Sequence, residues 1–178
     1  MKKLGIGRTF SRIAPAAAAA MLALGAMSAN AATTTGTLTV TAAVAAVCNV
    51  GIATLAFGTY NPGGGNVNQT TTIAVRCTKL TPFTVGLNGG GSGNISARQM
   101  SSTGTPAEKL DYQLYSDAGR LTVWGNSAGT WQSGTGAGMG VGNAVNFTVY
   151  GQVPDSVANQ AAAALADFTD SVTITVTY

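Results

Sequence analysis

The 178-residue chain is 46% hydrophobic but only 8% charged, with nine Lys and Arg, six Asp and Glu, and no histidine. Four of the basic residues (Lys2, Lys3, Arg8 and Arg12) sit in the first twelve positions, so the rest carries five basic and six acidic residues, a net −1. That balance leaves no basic stripe to neutralise phosphates and excludes a nucleic-acid binder; the lack of histidine excludes imidazole metal sites and histidine-based nucleophilic catalysis.

The first segment reads as an export signal. A basic start is followed by the uncharged, Ala-rich run Ile13–Met27 and by Ala29-Asn30-Ala31, a small-x-small cleavage site. The apolar run falls short of the ~18–20 residues of a membrane span. Removal of residues 1–31 is expected, which leaves 147 residues, enough for one domain with its own core.

After the polar leader Ala32–Gly36, Thr37–Val44 alternates, with Leu38, Val40, Ala42 and Val44 on one face and threonines on the other. Ala45-Ala46-Val47-Cys48 then turns nearly all apolar, which predicts entry into a doubly covered core. Two readings stand: one long first strand, or a detachable strand over residues 32–44 followed by a domain over 45–178. Ile52–Tyr60 comes next, then a turn at Asn61-Pro62-Gly63-Gly64-Gly65-Asn66. Gln69–Lys79 reads as a strand with Ile73, Val75 and Cys77 inward and Arg76 outward. Thr81–Asn88 follows, then a short strand over Ala97–Met100.

Lys109–Ser116 alternates clearly, placing Leu110, Tyr112 and Leu114 together. Leu121–Gly125 reads as a short strand, Ala128–Gly142 as a Gly-rich loop containing Trp131, and Asn143–Val153 as a strand. Pro154–Ala166 is Ala-rich but short, a loop with at most a helical turn. The chain closes on Asp170–Tyr178, where Val172, Ile174, Val176 and Tyr178 alternate with Ser171, Thr173, Thr175 and Thr177. A strand this apolar needs a neighbour on both edges; none follows it in sequence, so the segment Thr37–Val44 of another copy is expected to fill the place. Seven or eight short strands with turns between them predict an all-β, immunoglobulin-like sandwich that lacks its last strand.

Cys48 and Cys77, in an exported chain, are most simply one disulfide. Closing a loop of about 30 residues stabilises by roughly 3.5 kcal/mol in the chain-entropy model. Glu108 and the five aspartates fall in or beside turns and form no motif. The alternating glycines Gly134–Gly142 match neither dinucleotide nor phosphate-loop spacing. No enzyme, cofactor, metal or small-molecule substrate is expected.

Several motifs together carry a resemblance. Cys48-Asn49-Val50, Phe57-Gly58-Thr59-Tyr60-Asn61-Pro62, Ile73-Ala74-Val75-Arg76-Cys77-Thr78, Arg98-Gln99-Met100, Leu110-Asp111-Tyr112-Gln113-Leu114-Tyr115, Trp124-Gly125, Val149-Tyr150-Gly151 and the closing Asp170–Tyr178 run in order. This series resembles the spore coat protein U domain family, which includes subunits of archaic (Csu-type) chaperone–usher pili. The resemblance implies an incomplete sandwich exported to the periplasm of a Gram-negative bacterium. It also implies a Cys48–Cys77 disulfide and a chaperone that lends a strand and grips the carboxylate of Tyr178. An outer-membrane usher then exchanges that strand for Leu38, Val40, Ala42 and Val44 of the next subunit, laid along Val172, Ile174, Val176 and Tyr178. The expected product is a surface pilus, a homo-polymer or a co-polymer with related subunits, serving adhesion and biofilm formation. One departure is Ala166-Asp167-Phe168-Thr169-Asp170, where the family has Gly-x-Tyr-x-Asp. Two other readings are a spore-coat or matrix protein of the same domain, and a carbohydrate-binding module using Trp124, Trp131 and Tyr115.

Overall fold

The computed structural model describes residues 31–104 and 107–178. The expected signal, residues 1–31, lies outside these apart from Ala31. The chain divides into two units, one running to Thr41 and the other spanning Ala42–Tyr178. In the first, residues 31–41 form no regular secondary structure, and Leu38 and Val40 are 85% and 82% exposed. Thr37–Val44 is therefore not a strand in this structure. Alternation marks which side chains share a face, but without a neighbour no ladder exists to make a strand.

The second unit is all-β. Strands β1 (Cys48–Val50), β2 (Val67–Cys77), β3 (Pro82–Leu87), β4 (Arg98–Ser101), β5 (Lys109–Tyr115), β6 (Gln132–Thr135), β7 (Val145–Val153) and β8 (Ile174–Thr177) form two sheets. One has the order β1-β2-β7-β5-β4, the other β6-β3-β8. All the pairings are antiparallel. The longest joins β2 to β7 over nine residue pairs, from Val67 opposite Val153 to Val75 opposite Val145.

The inward residues predicted for β2 and β5 are buried: Ile73, Val75 and Cys77 on one, Leu110, Tyr112 and Leu114 on the other. Phe83, Val85 and Leu87 face them from β3. Trp124 fills the middle, fully buried, with its indole N–H donating to the Val85 carbonyl at 2.9 Å. A buried indole needs such an acceptor. Phe83 and Phe147 meet edge to face at 5.9 Å.

Four elements differ from expectation. Ala45, Ala46 and Val47 are exposed, so the apolar run before Cys48 does not enter a covered core. Ile52–Tyr60 alternates in burial but pairs with no strand among the described residues. Within Leu121–Gly125 only Val123 makes a bridge, to Tyr115. The Gly-rich segment instead contributes a strand, β6, on the edge of β3. Gly134 explains why: a Cβ there would lie 2.6 Å from the Phe83 ring, so the close approach of backbone to aromatic core requires glycine.

The helical turn is present as α1 (Val157–Gln160). Ser156 caps it by accepting from the Asn159 N–H at 3.2 Å. The buried Asn159 side chain accepts from the Asp111 N–H and donates to the carbonyls of Asp111 and Pro154, which docks the turn on β5.

Candidate functional site

The two edges of β8 are unequal. One pairs with β3, Leu87 opposite Ile174 through Thr84 opposite Thr177. The other pairs with no strand among the described residues. The inner side chains Val172, Ile174 and Val176 pack on the core yet stay only half-buried. Tyr178, next in the same alternation, is 58% exposed.

Across from β8 stand Ala53, Leu55 and Phe57, also half-buried, each next to an exposed residue. Gly51 starts this segment by donating its N–H to the Ala74 carbonyl at 3.0 Å. Leu55 and Phe57 settle flat on β7 because Gly151 has no side chain; a Cβ there would stand 2.5 Å from Leu55 and 2.9 Å from Phe57. Between the two walls lies a cleft of about 340 Å³ whose floor includes Ile73, Leu87, Leu114 and Val149. The cleft sets apolar side chains beside Thr54, Thr71, Thr169 and Asp170 along an open backbone edge. A sheet edge left without a paired strand is the kind of surface to which an extended segment can add.

A polar knot closes one end. The Asp170 carboxylate accepts from the Tyr112 hydroxyl at 2.6 Å and from the N–H groups of Gly91 and Ser171, each at 2.8 Å. Gly90, at φ 61°, lies so close that a Cβ would collide with that carboxylate. Burial, then the bond to Asp170, pushes the Tyr112 hydroxyl far above its ordinary value.

Beside the knot lies Arg98, fully buried. Its guanidinium donates to the carbonyls of Leu87, Asn88 and Trp124 and to Gln113 Oε1, the last at 2.6 Å. Burial lowers its pKa, and nearby Tyr112 and Asp170 act in the opposite direction. Arg98 thus ties the end of β3 to the Trp124 loop and β5. Nothing in the pattern of Ala97–Met100 marks it for burial, because a cation satisfied by backbone carbonyls leaves no charged partner in the sequence.

The N-terminal edge is fastened differently. The predicted Cys48–Cys77 disulfide is formed and joins the first rung of β1 to the last residue of β2. Thr78 extends the fastening: its Oγ1 accepts from the Val47 N–H at 3.1 Å and reaches the Ala45 carbonyl at 3.2 Å. Its own N–H donates to the Val47 carbonyl at 2.9 Å. The following turn, closed by the Thr81 N–H on the Thr78 carbonyl, holds Leu80 at φ 66°. A left-handed conformation costs a residue with a Cβ about 1–2 kcal/mol. Leu80 is nonetheless 76% exposed. A shallow depression beside it is lined by Val44, Ala46, Pro82 and Tyr178.

The exposed Val44 stands at the rim of that depression, and Leu38 and Val40 are exposed as well. The structure gives none of the four residues expected to be donated a strand partner among the described residues. Trp124 is buried and unavailable to any sugar, while Trp131 remains 39% exposed.

Residues 34–175 match the model of the Spore Coat Protein U domain. The chain is 34% identical over 129 residues to "Protein U" of Myxococcus xanthus, covering 64% of this chain and 69% of that protein. Among solved structures it is similar to a chaperone–tip adhesion subunit pre-assembly complex from the archaic chaperone-usher Csu pili of Acinetobacter baumannii. That likeness has a TM-score of 0.44 and 21% identity, and covers 76% of this chain but only 40% of the other.

Proposed function

The chain belongs to the spore coat protein U domain family, and from that premise we propose that it is a structural subunit that polymerises by strand donation. Residues 1–31 direct export and are removed, 32–44 form the donated segment, and 45–178 form the accepting domain. Leu38, Val40, Ala42 and Val44 of one copy enter the cleft of the next beside Val172, Ile174 and Val176. Tyr178 continues that edge. The observation that carries the reading is the pair of half-buried walls, Ala53, Leu55 and Phe57 on one side and Val172, Ile174 and Val176 on the other. They face each other across a cleft floored by the core, with no strand paired between them among the described residues.

The magnitudes favour this arrangement. Burying the four donated side chains contributes about 5–8 kcal/mol, at about 1.5–3 per large side chain. Each ladder hydrogen bond adds about 0.5–1.5 kcal/mol net. Those sums rival the ~5–15 kcal/mol that holds a domain together. Donor and acceptor are different surfaces, so the contact is head-to-tail and the product an open filament. The partners are further copies or related subunits, a periplasmic chaperone that covers the edge during export, and an outer-membrane usher. The destination is the surface of a Gram-negative cell, where the filament serves adhesion and biofilm formation. The role is structural and not enzymatic.

A chain with a second copy of residues 36–46 appended after Tyr178 through a short linker tests this. It is expected to stay monomeric and to melt well above the plain domain. Equal melting temperatures would refute donation. A coat or matrix built from the same domain is the second reading, favoured by the family's description. Chaperone and usher genes beside this one would argue against it.

A further inference from the structure

We infer that Leu80, with Val44, Pro82 and Tyr178 around it, is a second contact between successive copies, covered by the body of the copy that receives the donated strand. This rests on the strand-donation reading above and adds a surface to it.

Three observations lead there. First, there is no slack. The donated side chains end at Val44, and the fastening to the donor's own body begins at Ala45, whose carbonyl lies 3.2 Å from Thr78 Oγ1. Val47 is held on both its N–H and its carbonyl, and Cys48 is covalently tied to Cys77. A receiving body that buries Val44 must therefore abut whatever surrounds Val44. Second, what surrounds Val44 is mostly apolar: Ala46, Leu80, Pro82 and Tyr178 line the same depression, with Thr78, Lys79 and Thr81 among them. Third, Leu80 occupies a left-handed position, φ 66°, where glycine is the unstrained choice, and its side chain is 76% exposed. Within the monomer nothing is gained by a leucine there. Strain at an exposed apolar residue points to a partner that uses it. Continuity with the donated segment identifies that partner as a second copy of this chain.

The test places a photo-cross-linking benzophenone residue at Leu80 in the full chain, with Val157 on α1, also exposed, as the comparison position. Filaments sheared from the cells are irradiated, boiled in detergent and weighed on a gel. Position 80 is expected to yield covalently linked copies of this chain well in excess of position 157. Filaments that form but show no such excess, or position 80 linked to a different protein instead, overturn the contact and leave strand donation standing. If no polymer forms and the appended-strand monomer gains no stability, donation itself falls and this contact with it. Leu80→Gly gives a second reading. It is expected to leave the melting temperature of the appended-strand monomer unchanged or raised, and to shorten filament persistence length at least two-fold. An unchanged persistence length refutes the contact.

Discussion

β7 and β8 carry the same kind of sequence and sit in opposite circumstances. Each alternates β-branched or aromatic residues with polar ones, Val145-x-Phe147-x-Val149 in one and Val172-x-Ile174-x-Val176 in the other. β7 is paired with β2 along its length and with β5 over Tyr150–Gln152. Val149 and Val153, flanking that doubly paired stretch, are buried, whereas Val145 and Phe147 are half-buried. β8 is paired on one edge, and its inner face is only half-covered. The alternation specifies which way side chains point, whereas burial depends on who stands alongside. A strand written for a core but left at its edge is what the proposed donation would complete.

Substitutions can break or sharpen that contrast. The largest effect belongs to the covered side: Trp124→Ala is expected to cost about 3–5 kcal/mol in chemical denaturation, because it empties the core and removes the indole donor to the Val85 carbonyl. Ile174→Ala is the decisive case. In the plain domain it is expected to cost about 1 kcal/mol, since the side chain is already part-solvated, but about 2–4 kcal/mol once the appended strand covers it. An equal cost in both chains would mean that the strand does not lie on β8.

Gly151→Ala attacks the opposite wall. Its Cβ pushes Leu55 and Phe57 off β7, with an expected loss of about 1–2 kcal/mol and faster amide exchange over residues 51–60. Smallest is Asp155, which accepts from the Tyr60 hydroxyl at 2.5 Å and from the N–H groups of Gly63 and Gly65, each at 3.0 Å. These bonds, that of Tyr60 first, lower its pKa to about 2. A depressed carboxylate contributes stability above its unfolded value near pH 4, lost as pH falls through about 2. Asp155→Asn is expected to remove that dependence, so the stability curves of the two proteins converge in strong acid. Tyr60 is pushed up to about 12 by burial first and then by Asp155. Its contribution is therefore present below pH 10 and lost as pH rises through about 12.

What was legible in the sequence follows the same division. β2, β5 and the inner face of β8 could be read because their alternation is strong and their neighbours do not change it. β6 could not, because Gly134 gives no hydrophobic signal; its role is to let an aromatic ring come near. Ile52–Tyr60 alternates in burial without pairing among the described residues, because a ladder partner is a property of the assembled fold. Arg98 went unread because a cation held by carbonyls depends on where β3 and the Trp124 loop end. The cysteine pairing was legible from the number and the export signal, but not its position at the first rung of β1.

That position bears on how the proposed filament would carry load. Tension arriving there through Val44 would first load the Thr78 bonds to Ala45 and Val47. It would then reach the outermost rung of an edge strand, the geometry in which hydrogen bonds peel open one after another. Here that rung, Cys48 opposite Cys77, is a covalent bond. The zip cannot start, and the force passes directly into β2 and its nine-pair seam with β7. A thiol reductant is therefore expected to lower the melting temperature of the resting domain and, more sharply, the force at which a stretched one unravels.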